Sequence, residues 1–255
     1  MQLFSQERCM KIVDMLQEKS SIKVNELAEF FHVSESTIRR DLKEMEENGL
    51  LSRTHGGAVG INNTSFEPTY REKEDAKHDE KEKIGKLAAA MIEDGSTIIL
   101  DSGTTTLEVA KNITAKNITV LTNSLDISYI LSEKEDIEVI VTGGSLRQTT
   151  RAMVGSITEK ILSMFRVDLA FIGANGISLS DGLTTPNMTE AQSKKIMIDI
   201  SHRVIVLADS TKFNNVCFSV ISPIKRISSI ITSSDIDEMT KKEFEDAGVE
   251  IILSR

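Results

Sequence analysis

Short, almost purely aliphatic segments alternate with longer amphipathic ones through most of this sequence. Thr97–Asp101 (TIILD) and Arg203–Ala208 (RVIVLA) are continuous apolar runs in which polar residues do not alternate. A strand that is apolar on both sides must be covered on both faces, which is the environment of a parallel sheet between helical layers. The pattern predicts an α/β domain with a mostly parallel sheet over residues 84–255.

Hydrophobic periodicity and turn residues place the elements of this domain. In chain order we expect helix Ile84–Ile92, strand Thr97–Asp101, helix Thr105–Asn112, strand Ile118–Thr122, helix Leu125–Ser132, strand Ile137–Thr142, strand Asp168–Gly173, helix Glu190–Ile200, strand Arg203–Ala208, strand Ser228–Thr232, helix Asp237–Ala247 and strand Val249–Leu253.

The first 61 residues have a different pattern, with three short helices and a hairpin. Helices are predicted over Gln6–Glu18, Val24–Phe31 and Glu35–Asn48, with Ser34 as the N-cap of the third. Leu50–Thr54 and Ala58–Ile61 flank a glycine turn, as in a short hairpin. This order is that of a winged helix-turn-helix, whose third helix enters the major groove of DNA.

The outer face of the third helix carries the residues that suit contact with DNA. Ile38, Leu42 and Met45 must pack inward, which leaves hydroxyl and basic groups outside. Such groups bond to phosphates and base edges. The predicted DNA contacts are Ser34, Ser36, Thr37, Arg39, Arg40 and Lys43 on this helix, with Arg53 and His55 in the hairpin.

Net charge does not by itself support DNA binding. The chain has a formal charge of −9, and residues 1–60 carry eight basic against ten acidic side chains. However, Glu44, Glu46 and Glu47 lie toward the C-terminal end of the third helix. We therefore expect a positive local field at the first turns of this helix, where DNA would be read.

Residues 62–83 are polar and heavily charged, with few apolar anchors. This composition is typical of a linker, and we expect the segment to become helical towards Glu80. The predicted organisation is a DNA-binding domain at 1–61, a charged linker at 62–83 and an α/β domain at 84–255.

Strand TIILD ends in Asp101-Ser102-Gly103-Thr104-Thr105-Thr106, directly before a predicted helix. Backbone N–H groups at a helix N-terminus attract anions, and hydroxyls add further donors, so the loop suits a phosphate. A plain capped turn is the alternative. The carboxyl end of a strand is where open α/β sheets place ligands, which favours the phosphate cradle.

Residues 7–59 resemble the DNA-binding domain of the DeoR family of bacterial transcription regulators, and the resemblance extends nearly to the C-terminus. The matching residues are Glu7-Arg8, Glu26-Leu27-Ala28, Val33-Ser34, the run 36–42 (STIRRDL), Gly49-Leu50-Leu51, Arg53 and His55-Gly56-Gly57-Ala58. The resemblance implies that the second half is a sensor domain similar in fold to ribose-5-phosphate isomerase. It implies effector binding by Asp101, Ser102, Gly103, Thr104, Thr105, Asn123, Gly143, Gly144, Glu190, Asp209 and Lys212.

A sugar-phosphate isomerase with an added DNA-binding domain is the main alternative. The isomerases of this fold carry an acidic G-A-D-E run where this chain has Gly173-Ala174-Asn175-Gly176, and a Glu-Lys pair where it has Lys194-Lys195. A pocket without chemistry is therefore expected, although Glu190 and Asp209 remain possible bases. A DNA-binding module with an inert oligomerisation domain is a third possibility.

These features predict a repressor of a carbohydrate-use operon, released from operator DNA by a phosphorylated sugar or sugar alcohol. We expect a homo-oligomer, either a dimer or a tetramer, with no catalytic residues and no cofactor. No metal is expected either, because Cys9 and Cys217 lie in no metal-binding spacing. A cytoplasmic protein without membrane contact is expected, since neither a signal peptide nor a span-length apolar run is present.

Overall fold

The computed structural model describes residues 5–19, 21–47, 50–54, 56–60, 64–65 and 67–254. The chain divides into two compact units between Pro68 and Thr69. No helix within the described ranges is both long and apolar enough to cross a membrane.

The first unit is a winged helix-turn-helix, as predicted. Its elements are α1 (Ser5–Glu18), β1 (Ser21–Lys23), α2 (Val24–Phe31), α3 (Glu35–Glu47), β2 (Leu51–Thr54) and β3 (Gly57–Gly60). The strands form an antiparallel sheet in the order β1-β3-β2. Strand β1 was not predicted, because its three residues carry no apolar pattern beyond the buried Ile22. The last predicted residue of the third helix, Asn48, lies outside the described residues.

Helix α3 is held by apolar contacts and by one buried ion pair. Ile38, Leu42 and Met45 are buried in the core of this unit, as their helical spacing predicted. Arg8 of α1 donates to both carboxylate oxygens of Asp41 on α3, at 2.7 and 3.1 Å. This bidentate pair fixes the inner face of α3 and leaves its opposite face free.

The second unit is built on seven parallel strands in the order β15-β14-β12-β9-β4-β5-β6. Their bounds are β4 Thr97–Leu100, β5 Ile118–Thr122, β6 Ile137–Val141, β9 Val167–Gly173, β12 Ser201–Leu207, β14 Ser229–Ser233 and β15 Glu250–Ser254. The helices are α4 Tyr70–Asp75, α5 His78–Ala89, α6 Thr104–Asn112, α7 Leu125–Leu131, α8 Ser156–Leu162, α9 Met188–Asp199 and α10 Glu238–Asp246. The predicted α/β class with a parallel sheet is confirmed.

Helices cover both faces of this sheet. Leu100 and Phe171 face one apolar cluster, with Ile84 of α5, whereas their neighbours Ile99 and Ile172 face the other. Ile84, Leu107 and Ile127 come from α5, α6 and α7 on the first side. Leu162, Met197 and Phe244 come from α8, α9 and α10 on the second. Burial on both sides explains why the strand sequences are continuous aliphatic runs.

Two small sheets and two short 3₁₀ turns decorate this core. Strands β7 (Ser145–Arg147) and β8 (Ala152–Val154) pair as a hairpin. Strands β10 (Gly176–Ser178), β11 (Gly182–Thr185) and β13 (Ser219–Ser222) form an antiparallel sheet. The 3₁₀ turns are Ser210–Lys212 and Ile224–Arg226.

The order of the strands creates a crevice at the carboxyl edge of the large sheet. Strand β4 is followed by β5 on one side, while β9, its neighbour on the other side, connects onward to β12. The loops after β4 and β9 therefore diverge, and ligands of open α/β sheets bind at such a switch point. The loop that begins at Asp101 lies at this position.

Residues 69–83, predicted as the second half of a charged linker, belong instead to the second unit. They form α4 and the start of α5, and Tyr70 and Lys81 are buried. The charged side chains of this segment are mainly exposed, so its composition alone did not predict that Tyr70 and Lys81 are buried.

Candidate DNA-binding and effector sites

Exposed hydroxyl groups crowd the N-terminus of α3. Ser34 caps this helix: its Oγ accepts from the Thr37 N–H at 3.3 Å and lies 2.8 Å from Ser36 Oγ and 2.9 Å from Thr37 Oγ1. The N-terminal end of a helix carries a partial positive charge and binds anions. The structure thus brings three of the predicted DNA contacts into one polar group.

Most of the described basic side chains near α3 are paired with acidic ones, and these pairs were not predicted from the sequence. Arg39 contacts Glu35 at 2.9 Å, Lys43 lies 3.7 Å from Glu47, and Arg53 of β2 contacts Glu46 at 2.8 Å. All three pairs are well exposed, so each contributes little to stability and gives way readily to a phosphate. His55 lies outside the described residues.

Arg40 differs from its neighbours. Its side chain is exposed and makes no ion pair within the described residues. It is therefore the basic group on this face whose charge is uncompensated in the structure.

The loop after β4 places the N-terminus of α6 and several hydroxyl groups at the crevice. Helix α6 begins at Thr104, and no side chain caps its N-terminus. The hydroxyls of Ser102, Thr104 and Thr105 make no hydrogen bond within the described residues, although each residue is at most 9% exposed. The three hydroxyl oxygens are not among the fully buried side-chain atoms that lack a partner, so they retain accessible surface and are available to a ligand in the crevice.

Hydrogen bonds made by Thr106 and Asn123 hold that loop in shape. Thr106 Oγ1 donates to the Asp101 carbonyl at 2.6 Å. The Ser102 N–H donates to Asn123 Oδ1 at 3.0 Å, and Asn123 Nδ2 donates to the Met153 carbonyl at 3.0 Å. Asn123 therefore joins the ends of β4 and β5 to the β7–β8 hairpin, and the Ser102 amide is already occupied.

Asp101 forms the floor of the site. Its carboxylate has no exposed surface, and its Oδ2 accepts from the Gly173 N–H at 3.0 Å and from Lys194 Nζ. Lys194 also donates to the Gly173 carbonyl at 3.0 Å. Burial raises the pKa of Asp101, and the Lys194 ammonium opposes this rise. Asp101, predicted as an effector contact, is thus placed to support the loop, and Lys194, absent from the predicted set, holds it.

Glu190 lies in the first turn of α9, which Asn187 caps by accepting from the amides of Thr189 and Glu190, each at 3.1 Å. Its Oε1 accepts from Arg147 Nη1 at 2.9 Å and from the Thr150 hydroxyl. Both partners come from the β7–β8 hairpin. Neither was predicted, and the only signal was their position shortly after the predicted glycine pair.

The glycine pair, Gly143 and Gly144, has positive φ angles of 63° and 115°. A Cβ on Gly144 would lie 2.2 Å from Thr158 Oγ1 and 2.8 Å from the Val154 carbonyl oxygen. Thr158 also donates to the Gly143 carbonyl at 2.7 Å. The glycines are therefore required by the backbone, which turns here between β6 and the hairpin.

Asp209 and Lys212 follow β12 at the same edge of the sheet. The buried Asp209 accepts from the Thr211 N–H at 3.0 Å, and Lys212 Nζ lies 3.6 Å from its other oxygen. Burial disfavours the charge of Asp209, but Lys212 and Thr211 outweigh it, so the pKa of Asp209 is lowered. Lys81 of α5 adds to this effect. Among the described residues, no hydrogen bond joins this turn to the Ser102–Thr105 loop.

Two family models match the chain and together cover most of it. The DeoR-like helix-turn-helix domain matches residues 8–64, and the DeoR C terminal sensor domain matches residues 76–234. The chain belongs to the DeoR family.

Full-length relatives agree with this assignment. The HTH-type transcriptional regulator GlpR of Haloferax volcanii is 37% identical over 248 residues, covering 96% of both chains. A putative aga operon transcriptional repressor of Escherichia coli O157:H7 is 34% identical over 250 residues, covering 97% of this chain and 93% of its own. As a DeoR-family member, the protein is a DNA-binding transcriptional regulator, and the isomerase-like alternative is set aside.

A solved structure of another class was also found. Ribose 5-phosphate isomerase A from Methanocaldococcus jannaschii matches 54% of this chain and 55% of its own, with a TM-score of 0.39 and 20% sequence identity.

Proposed function

We propose that this regulator represses a carbohydrate-use operon and that a phosphorylated sugar or sugar alcohol, bound at the carboxyl edge of the large sheet, releases it from operator DNA. The observation that carries the proposal is the set of free hydroxyls of Ser102, Thr104 and Thr105 beside the uncapped start of α6. A phosphate dianion is strongly hydrated, so only a preorganised set of donors can replace its water.

The contacts in the pocket suggest a role for each residue. The phosphate lies against the α6 N-terminus, where Gly103 has no side chain and where a Cβ would lie 3.2 Å from Thr106 Oγ1. Glu190 accepts from sugar hydroxyls, and Lys212, which is partly exposed, supplies a positive charge. Asp101, Asn123, Gly143 and Gly144 shape the loops, and Asp209 orients Lys212.

The DNA-binding surface is formed by the exposed groups of α3 and the β2–β3 hairpin. We assign it to residues 1–61, and the sensing function to residues 84–255. The proposed contacts are Ser34, Ser36, Thr37, Arg39, Arg40, Lys43, Arg53 and His55. Because such domains read half-sites in pairs, we propose a homo-oligomer, a dimer or a tetramer.

Ligand binding tests the sensor half of this proposal. The probes are D-fructose 1-phosphate, D-glucose 6-phosphate and D-glucitol 6-phosphate, each paired with its unphosphorylated form, titrated by calorimetry into the full chain. We expect at least one phosphorylated probe to bind, and its unphosphorylated form to bind more than about tenfold weaker, because the charge-assisted bonds are lost.

Gly103→Val places a side chain in front of the α6 amides and should remove binding of that probe. Lys116→Ala, at the opposite edge of the sheet, is the matched control and should bind as the wild type does. Equal binding of the phosphorylated and unphosphorylated forms, or normal binding by Gly103→Val, would show that the loop is only a turn.

A further inference from the structure

The turn between β7 and β8 contacts two separate parts of the second unit. We call residues 147–151 the hairpin turn. On one side, Arg147 Nη1 and the Thr150 hydroxyl both donate to the same oxygen, Oε1 of Glu190. The turn is thus tied to a buried carboxylate at the proposed effector site.

On its other side the hairpin turn holds the first residue of α4. The Tyr70 N–H donates to the Thr149 carbonyl at 2.8 Å. The guanidinium carbon of Arg151 lies 4.5 Å from the centroid of the Tyr70 ring, within the range of a cation–π contact. Arg151 also donates to Asp126 of α7 at 3.1 Å, and Tyr70 is buried beneath it.

The start of α4 is closed by hydrogen bonds between residues on either side of Tyr70. Thr69 and Glu72 form a capping box, in which the Thr69 Oγ1 accepts from the Glu72 N–H and the Glu72 carboxylate accepts from the Thr69 N–H. Thr69 is also the first residue after the division between the two units. A shift of Tyr70 therefore also moves Thr69, the residue at which the second unit begins.

Arg151 has a left-handed backbone conformation, with φ of 56°. A non-glycine residue adopts this conformation at a cost, which neighbouring contacts must offset. Here the Arg151 side chain contacts Tyr70 and Asp126, and its backbone bonds to the Arg147 carbonyl at 2.7 Å and to the Leu125 N–H at 3.3 Å. The Glu190 contact on the other side is one of several that hold the turn, and its loss lets the turn shift.

We propose that the hairpin turn couples effector binding to α4. The proposal rests on the proposed function, in which Glu190 accepts from the ligand. A ligand hydroxyl that bonds to Glu190 Oε1 competes with Thr150 and Arg147, and the turn, Thr149 and Tyr70 shift together. Ligand binding in the pocket thereby changes the position of the segment that leads to the DNA-binding unit.

Hydrogen exchange tests the coupling without any ligand. Amide exchange of residues 69–76 is followed by mass spectrometry in the full chain, with the α10 peptide as internal reference. Thr150→Val removes the hydroxyl bond to Glu190, and Thr150→Ser keeps it. We expect exchange in 69–76 to be roughly tenfold faster in Thr150→Val and unchanged in Thr150→Ser.

Arg151→Asn serves as a second variant, since Asn tolerates the left-handed conformation and removes the guanidinium. It too should accelerate exchange in 69–76. If both folded variants leave this segment as protected as in the wild type, the hairpin turn does not hold α4 and the proposal is overturned.

The functional measurement uses Arg151→Asn, duplex DNA selected from a random pool by the wild-type chain, and the phosphorylated probes named above. The variant should bind DNA and probe within about twofold of the wild type, while the probe-induced loss of DNA affinity shrinks by about tenfold. A probe-induced loss of DNA affinity equal to that of the wild type would contradict the coupling. If no probe binds the wild type, the proposed function fails, and the exchange measurement alone still decides the coupling.

Discussion

The ammonium group of Lys194 on α9 is paired with the carboxylate of Asp101 at the end of β4, with both side chains almost fully buried. The same ammonium donates to the Gly173 carbonyl at the end of β9. One lysine therefore joins a helix on one face of the sheet to the two strands that flank the switch point. The loop that carries the free hydroxyls begins at Asp101, so its position depends on this pair.

Removing Lys194 should strongly destabilise the second unit. Lys194→Met leaves the Asp101 carboxylate buried without its counter-ion, which costs about 3–5 kcal/mol of unfolding free energy. Urea unfolding followed by circular dichroism measures this loss. The exposed pair Arg226–Asp199, at 3.0 Å, supplies the matched control, because Arg226→Met should cost less than about 1 kcal/mol.

The double variant Lys194→Met with Asp101→Asn removes the charge as well and should recover part of the loss. A Lys194→Met variant no less stable than Arg226→Met would show that the pair is not what holds the loop.

Adjacent glycines should differ sharply in their tolerance of alanine. Gly144→Ala forces a Cβ to within 2.2 Å of Thr158 and adds an unfavourable φ, so we expect a loss of more than about 2 kcal/mol. Gly143→Ala has open space and only the φ penalty, roughly 1 kcal/mol. Thermal or urea unfolding compares the two variants, and equal losses would contradict the close approach of Thr158.

The stability of the chain should carry a pH-dependent contribution from Lys81. Burial lowers the pKa of Lys81 to about 8, although the ammonium donates to the C-terminal carbonyls of α4, including Ala76 at 2.5 Å. Between that value and about 10.4, the folded chain has lost a proton that the unfolded chain still binds, so the free energy of unfolding rises with pH.

Comparison with Lys81→Met isolates this contribution, since the other titrating groups are shared. Across this window the free energy of unfolding of the wild type should rise, relative to that of the variant, by up to about 1.4 kcal/mol per pH unit. Unfolding curves at a series of pH values measure the difference. A difference that stays constant with pH means that Lys81 titrates as an exposed lysine does.

Arg40 should contribute more to operator affinity than its paired neighbour Arg39. Arg40→Ala should weaken binding by about 1–3 kcal/mol, and Arg40→Lys should weaken it less if the contact is to a phosphate. Fluorescence anisotropy at several salt concentrations also reports whether the salt slope falls by about 1, as for a lost phosphate contact. An Arg40→Ala variant that binds operator DNA as tightly as the wild type would show that Arg40 makes no contact with the DNA.

The sequence predicted those elements whose burial has a simple period. Helix α2 was predicted with its observed bounds, and β4 and β12 followed from their aliphatic runs. The loop at Asp101 was located for the same reason, because a strand-to-helix junction fixes which edge of the sheet it occupies. Local pattern was sufficient in each case.

Contacts between distant residues could not be predicted in this way. The pair of Lys194 with Asp101 spans 93 positions, and Thr150 reaches Glu190 across 40. Strands β7 and β8 have three residues each, too few to show a period. Tyr70 packs in the apolar cluster on the α5 side of the sheet and contacts Arg151, which nothing in the charged run around it indicates. Such features depend on tertiary packing, and that is where the residues of the candidate site outside the predicted set were found.

In the proposed mechanism an anion held at the start of α6 weakens DNA binding, and the effect of the phosphorylated probes on operator affinity tests this directly. Anisotropy titrations of selected operator DNA are made with and without each probe at saturation. At least one phosphorylated probe should raise the operator Kd by more than about tenfold, while its unphosphorylated form should change this Kd by less than about twofold. By linkage, operator-bound protein must bind that probe more weakly by the same factor. An operator Kd that no phosphorylated probe alters, or that both forms of a sugar alter equally, would mean that an anion at the α6 N-terminus does not control DNA binding.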